Sequence, residues 1–147
     1  MPMRLIEIED DGRSADDVLL PEVGIAVCEA TAEMYQKSGF IRPWIGYLAE
    51  QDGQVVGTCA FKAPPQDRSV EIAYFTFPEH EGRGFATEMA RKLIEIARQV
   101  DDTLTITAQT LPQENASTAI LRKLAFMQTG TAYDPEAGEV WVWQKIA

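Results

Sequence analysis

A nearly continuous apolar segment that leads through a glycine-containing bend into an amphipathic helix constrains the fold of this chain more than any other feature. The apolar segment covers residues 70–77, as expected of a central strand covered on both faces. Pro78 ends the strand, and Gly82 and Gly84 lie in the bend. The apolar residues that follow recur at helical spacing, and they are Ala86, Met89, Ala90, Leu93, Ile94 and Ala97. The sequence therefore predicts a strand, a bend and a helix whose apolar face packs on a sheet.

Elements on both sides of this unit predict a mixed α/β fold. Before the unit, alternation and helical spacing predict a strand, a helix and a hairpin, over residues 3–8, 22–39, 44–49 and 55–61. After the unit, they predict a strand, a helix and a closing hairpin, over residues 103–109, 115–125, 127–133 and 140–145. No repeat or linker divides the chain. We therefore expect one domain over residues 1–147, with helices packed on a largely antiparallel sheet.

The charge and the cysteines exclude several classes of partner and site. Thirteen Lys and Arg against 23 Asp and Glu give a formal net charge of -10, which repels phosphate backbones and anionic membranes and attracts cationic amines. No run of about 18 apolar residues occurs, so no membrane span is expected and the cytoplasm is the expected compartment. Cys28 and Cys59 lack the spacing of a disulfide framework or a zinc site. We expect both to be small buried hydrophobes, and we expect no metal.

The bend over residues 79–87 has the properties of an anion-binding site. Main-chain N–H groups at a helix start lack intrahelical partners, and the helix dipole adds positive potential there. Gly82, Gly84 and Ala86 would let a pyrophosphate approach the main chain. The bend thus indicates a phosphorylated cofactor, with a tight strand-to-helix connection as the alternative. No Gly-Lys-Ser/Thr occurs anywhere, and Thr87 replaces the third glycine of the dinucleotide fingerprint, so both of those motifs are rejected.

Ordered motifs along the chain resemble those of a known family. The motifs are Glu71-Ile72-Ala73-Tyr74, Pro78-Glu79, Glu81-Gly82-Arg83-Gly84-Phe85-Ala86-Thr87-Glu88, and Glu114-Asn115-Ala116-Ser117 followed by Leu121, Lys123-Leu124 and Phe126. The third contains a sequence similar to the acetyl-CoA signature of the GCN5-related N-acetyltransferase (GNAT) superfamily, which is Gln or Arg, two residues, Gly, one residue, then Gly or Ala. The resemblance extends over roughly residues 44–143 and is strongest to the ribosomal-protein-alanine acetyltransferase-like branch.

This resemblance implies an enzyme that moves an acetyl group from acetyl-CoA directly to a primary amine, on a small molecule or a peptide amino terminus. It implies that the backbone of Tyr74, Phe75 and Thr76 pairs with the pantetheine arm of coenzyme A. It also implies a set of residues that holds the pyrophosphate, namely Gly82, Arg83, Gly84, Phe85, Ala86 and Thr87. Asn115 and Ser117 resemble positions that contact the far side of the cofactor, and each is alternatively a helix cap.

Direct transfer needs a group that takes a proton from the attacking amine, and Glu71 is the first candidate for this base. It opens the strand that would present the acetyl group. Its alternative interpretation is a solvated carboxylate at a strand end. His80, the chain's only histidine, ranks below it because it lies on a turn beside acidic residues. No motif identifies the acceptor, which the segments 38–43 and 133–139 would shape.

There are three departures from the family pattern, and the first two of them motivate a second hypothesis. Glu81 puts a negative charge where relatives carry Gln or Arg, and Leu121-Arg122 occupies the neighbourhood where many carry a tyrosine that acts as general acid. Ala125 replaces a glycine, so a left-handed backbone there would be strained. The alternative function is a catalytically silent acetyl-CoA-binding or interaction module with the same fold.

The last predicted strand carries two tryptophans at period two. Two aromatic residues at this spacing, Trp141 and Trp143, are more typical of a buried core strand, and the alternative is a sheet edge that forms a homodimer.

Overall fold

The computed structural model describes residues 2–146 and contains one seven-stranded sheet with helices on both faces. The elements are β1 Arg4–Glu7, α1 Glu22–Ser38, β2 Gly46–Gln51, β3 Gln54–Phe61, β4 Ser69–Thr76, a 3-10 turn Pro78–His80, α2 Phe85–Val100, β5 Thr105–Thr110, α3 Ala116–Lys123, β6 Met127–Asp134 and β7 Gly138–Lys145. The strand order is β1-β2-β3-β4-β5-β7-β6, and the neighbours are antiparallel except β4 and β5. Within residues 2–146 no helix is long and apolar enough to cross a membrane. The predicted fold class is confirmed.

Turn and cap residues produce the boundaries that the sequence predicted. Asp52 and Gly53 both have positive φ, 52° and 83°, which is the backbone geometry that a two-residue hairpin turn requires. Asn115 caps α3, because its side chain accepts a hydrogen bond from Thr118 N at 3.1 Å while Asn115 N donates to Thr118 Oγ1 at 2.9 Å. The predicted hairpin and the predicted start of the later helix are therefore confirmed.

The sheet opens between β4 and β5, and this opening positions the candidate site. The two strands pair in parallel only at Ser69–Thr105, Val70–Ile106 and Glu71–Thr107. Beyond Glu71, β4 continues to Thr76 beside β3, whereas β5 continues to Thr110 beside β7. The second half of β4 therefore lacks a strand neighbour on one side.

The prediction that β4 is covered on both faces is wrong. Val70 and Ile72 are buried on the face covered by α2, whereas Phe75 on the other face is 42% exposed. The physical reason is the position of α1, which packs on β2 and β3 and places Thr31 against Gly46. The middle of β4 thus has an accessible face.

The structure contradicts the sheet-edge alternative for the tryptophan strand, because β7 lies between β5 and β6. The closing hairpin returns β7 to the inside of the sheet, which leaves β6 as the edge strand. Trp143 is 1% exposed and its Nε1 donates to Thr110 Oγ1 at 3.0 Å. The core interpretation of Trp143 is confirmed, and a homodimer cannot use β7 as a free edge.

Both cysteines are buried, as predicted. Cys28 is 5% and Cys59 is 3% exposed, and burial raises the pKa of each thiol. They are protonated apolar groups in the core.

Ala125 adopts the left-handed conformation that the sequence led us to expect, with a φ of 70° at the end of α3. We expect Ala125→Gly to raise the free energy of unfolding by about 1 kcal/mol, because glycine adopts this φ without strain. Thermal unfolding should shift upward by roughly 3 °C. Ala119→Gly, inside α3, is the control and should lower stability by about 1 kcal/mol. Unchanged or lower stability of Ala125→Gly would contradict the strain.

Candidate functional site

A groove of about 590 Å³ lies between the second half of β4, the glycine bend and α3. It is called the β4–α3 groove below. Its lining residues are Tyr74, Phe75, Thr76, His80, Glu81, Gly82, Gly84, Phe85, Ala86, Thr87, Ala116, Ser117, Ala119 and Ile120. Nine of the eleven residues predicted to contact a cofactor line this groove. The two exceptions are Arg83 and Asn115.

The bend presents main-chain donors to open space. Gly82 and Gly84 have φ values of 77° and 83°, and an added Cβ on either would meet nothing within 4 Å. These glycines are therefore required by the backbone path and not by tight packing. Gly84 precedes α2 without a side-chain cap, so the N–H groups of residues 85–87 have no intrahelical acceptor. Together with the dipole of a 16-residue helix, they favour an anion at the bend.

The second half of β4 presents a free main-chain edge to the groove. Lys62 N donates to Glu71 O at 3.0 Å and Phe77 N donates to Val56 O at 2.9 Å, so odd-numbered residues of β4 point their main-chain groups toward β3. Because main-chain groups alternate along a strand, the N–H and C=O of Tyr74 and Thr76 point to the opposite edge of β4, where β5 no longer pairs with it. An amide-containing chain can pair with this edge as an added strand would.

Two buried polar atoms in the groove lack partners among the described residues. They are Thr76 Oγ1 and His80 Nδ1. Buried polar atoms in proteins are normally hydrogen-bonded, so each of these atoms needs a partner such as a water or a ligand. The free edge, the helix start and these atoms fit a molecule with a diphosphate and an amide-containing arm, which is the chemistry of coenzyme A.

Five groove residues were not among the predicted cofactor contacts. Ala116, Ala119 and Ile120 have the spacing of one helix face, and this spacing could have identified the face of α3 that lines the groove. His80 and Glu81 follow the strand end directly, and no local pattern shows that they line a groove.

Arg83 and Asn115 are placed outside the groove. The Arg83 guanidinium lies over the Phe85 ring, 5.0 Å from its centroid, and faces a separate recess beside Gln51 and Glu88. Asn115 uses its side chain to cap α3. The structure thus shows the capping alternative for Asn115, and a contact of either residue with a cofactor stays a prediction.

Tyr74 is the phenol of the groove. Its hydroxyl donates to Ser117 O at 3.5 Å. Burial raises the pKa of Tyr74, an effect that the Ser117 side chain partly offsets by hydrogen bonding to the phenol oxygen. Leu121 of α3 is fully buried. The phenol inside this groove therefore comes from β4 and not from α3.

Glu71 stands where the sheet opens. It is the last β4 residue that pairs with β5, and its side chain lies on the face opposite α2. Lys62 Nζ lies 2.9 Å from Glu71 Oε2, so the two side chains form an ion pair. The angle between them does not make this contact a hydrogen bond. The Glu71 side chain is 27% exposed, so it is not a fully solvated strand-end carboxylate. At this position a carboxylate can take a proton from a cationic group that replaces Lys62.

The chain matches a family model and two curated proteins. The model for the acetyltransferase (GNAT) domain matches residues 19–127. The uncharacterized N-acetyltransferase YoaA of Bacillus subtilis (strain 168) is 31% identical over 124 residues, which cover 77% of this chain and 69% of YoaA. The uncharacterized N-acetyltransferase p20 of Bacillus licheniformis is 31% identical over 90 residues, 60% of this chain. The match spans about half, 51%, of the length of p20.

Three examples represent the solved structures that share the fold. The Salmonella typhimurium enzyme that modifies the N-terminal serine of ribosomal protein L7/L12 has a TM-score of 0.71 at 16% identity and covers 99% of this chain and 95% of its own. Ribosomal-protein-alanine N-acetyltransferase from Brucella melitensis has a TM-score of 0.65 at 23% identity, and the match covers 84% of this chain and 78% of that protein's chain. YncA from Salmonella typhimurium, a putative acetyltransferase solved with its cofactor acetyl-CoA, has a TM-score of 0.64 at 19% identity. The match covers 99% of this chain and 93% of the YncA chain. The family expected from the sequence is therefore confirmed. Because the family model matches most of the length of this chain and the fold is the same, this chain belongs to the GNAT acetyltransferase family.

Proposed function

We propose that this chain transfers the acetyl group of acetyl-CoA directly to a primary amine. The observation that carries the proposal is the β4–α3 groove, which joins an uncapped helix start to a strand edge that has no neighbour. Membership in an acetyltransferase family and the likeness to a structure solved with acetyl-CoA support the same function. The related proteins carry transferase names, and none favours a silent binding module.

Two parts of the coenzyme, the diphosphate and the pantetheine arm, have matching parts of the groove. The N–H groups of residues 82–87 would hold the diphosphate, since they are unpaired donors at the positive end of α2. The main-chain edge of residues 74–76 would pair with the amides of the pantetheine arm. When bound, the coenzyme supplies an activated thioester. The protein's own tasks are to align it and to accept the proton that the acceptor must lose.

Glu71 is the residue that we assign to proton transfer. A primary amine is an ammonium ion at neutral pH and becomes a nucleophile only after it loses a proton. The Glu71 carboxylate lies at the closed end of the opening between β4 and β5, so it is near the position where an arm that follows β4 from the bend would end. His80 lies at the opposite end of this half of β4, beside the Phe85 ring, and is the weaker candidate.

The acceptor is proposed as a peptide amino terminus or a small cationic amine. Two structural neighbours are named for acetylating ribosomal proteins, and the net charge of -10 attracts cations. We propose that the segments 38–43 and 133–139 shape the acceptor site and that residues 1–147 act as one domain.

The experiment that tests the function combines calorimetric binding of acetyl-CoA with thiol release over a panel of peptide, polyamine and amino-acid acceptors. We expect binding, and release with at least one class. Binding without release on every acceptor would contradict the transferase and leave the silent module, and absence of binding would contradict both.

Glu81 should weaken the binding of acetyl-CoA. It is exposed, it lines the groove at the bend, and its charge repels a diphosphate. We expect Glu81→Gln to lower the Kd for acetyl-CoA by about fivefold, or roughly 1 kcal/mol. Because salt screens exposed charges, the gain should shrink at high ionic strength. Glu88→Gln, one turn into α2 and paired with Arg91, is the control and should change Kd less. An unchanged Kd at low salt would show that the Glu81 carboxylate points away from the diphosphate.

A further inference from the structure

Lys62 and Glu71 form a pair that joins β3 to β4 through both main chain and side chain. Lys62 N donates to Glu71 O at 3.0 Å, and Lys62 Nζ lies 2.9 Å from Glu71 Oε2. The side chains are 44% and 27% exposed, so the pair is accessible but not freely solvated. Among residues 2–146, Lys62 is the lysine that an ion pair with a carboxylate holds in place.

The pair lies beside the closed end of the opening in the sheet. Glu71 is the last residue of β4 that pairs with β5. Asp134, the last residue of β6, is a second carboxylate whose charge interacts with Lys62. Its pKa is lowered by hydrogen bonds from Ala137 N and Glu136 N and, less strongly, by the charge of Lys62. The Lys62 ammonium therefore lies within the electrostatic reach of two carboxylates that border the expected acceptor side.

An ammonium that gives its proton directly to Glu71 must come within hydrogen-bond distance of the carboxylate. Lys62 Nζ already has this distance, and its four-carbon side chain is flexible. A resident amine beside the base has a large advantage over an amine in solution, because its encounter is intramolecular.

We propose that Lys62 is a self-acetylation site of this protein. The inference depends on the proposed function and on Glu71 as its base. Glu71 takes a proton from the Lys62 ammonium. The lone pair of electrons on the resulting neutral Nζ attacks the thioester carbonyl carbon. A C–N bond forms and the C–S bond breaks. The sulfur leaves with the bonding electrons and is protonated, so that one acetyl-CoA and one ammonium give acetyl-lysine, coenzyme A and one proton. Acetyl-lysine is uncharged, so the product no longer pairs with Glu71 and leaves that carboxylate free for an external amine.

The test incubates the full chain with acetyl-CoA and no other amine, and measures intact mass and the acetylated fraction of each of the five lysines. We expect Lys62 to react at least about tenfold faster than Lys37, Lys92, Lys123 and Lys145, with a rate per molecule that does not depend on protein concentration.

Three variants sharpen the result. Lys62→Arg keeps the ion pair and should abolish the fast modification, and Glu71→Gln should slow it by about 10-fold or more. Lys123→Arg, at an exposed position on α3, should leave modification of Lys62 unchanged. Equal rates at all lysines, or fast modification that persists in Glu71→Gln, would overturn the inference.

The outcome also separates this inference from the proposed function. If the protein binds acetyl-CoA and acetylates an external amine while Lys62 stays unmodified, the self-acetylation is wrong and the transferase stands. If calorimetry detects no binding of acetyl-CoA, the proposed function is wrong and the self-acetylation fails with it.

Discussion

Replacement of Gly84 by valine is expected to weaken binding of acetyl-CoA by at least about 100-fold. Gly84 has a φ of 83°, and a side chain on it would extend into space that is empty in the protein and that a diphosphate must enter. The added Cβ thus blocks approach to the N–H groups at the start of α2, on which the proposed grip on the coenzyme depends. Isothermal calorimetry measures the loss directly, and protection against thermal unfolding by acetyl-CoA should disappear with it.

Gly53→Val separates the effect on binding from the effect of backbone strain. Gly53 also has a φ of 83° and also meets nothing within 4 Å, but it lies in the turn between β2 and β3, outside the β4–α3 groove. Both variants should lose about 1–2 kcal/mol of stability from the left-handed backbone. Only Gly84→Val should lose the coenzyme. Equal affinity in the two variants would show that the bend does not hold the diphosphate.

Glu71→Gln is expected to lower kcat by about 100-fold or more while the Kd for acetyl-CoA changes little. The amide keeps the shape of the side chain but cannot accept the proton of the acceptor. Because the acceptor must then lose its proton to solvent, the residual rate should rise with pH more steeply than that of the unmodified protein. The measurement is thiol release at saturating acetyl-CoA with the best acceptor of the panel.

Glu50→Gln is the matched control for this loss. Glu50 is also a carboxylate in an ion pair, 3.1 Å from Arg4 Nη2, and its side chain is 19% exposed. It lies on β2, away from the opening in the sheet, so its loss should leave kcat unchanged. A kcat for Glu71→Gln equal to that of Glu50→Gln would exclude Glu71 as the base.

Most of the elements could be predicted because their signals are local. The helical spacing from Ala86 to Ala97 belongs to α2, which is buried along that face at Met89, Ala90, Leu93 and Ala97. The positive φ of Asp52, Gly53 and Ala125 agrees with what the turn residues and the family pattern led us to expect. A turn or a helix face depends on residues within about one turn of each other, so the chain specifies it without knowledge of the fold.

The candidate site could be predicted only in part. The bend and the strand before it were identified from their glycines and apolar residues, and they line the groove. The contribution of α3 was assigned to Asn115 and Ser117, and of these Ser117 lines the groove while Asn115 caps the helix. Capping and ligand contact favour the same polar residues at a helix start, so sequence does not distinguish them.

By itself the sequence determined the type of each element, the glycine bend and the apolar faces, because each depends on neighbours close in the chain. The tertiary structure alone decided the strand order that buries Trp143, the opening beyond Glu71 and the pairing of Lys62 with that carboxylate. These features join segments far apart in the chain, and their geometry follows from how all strands and helices pack together.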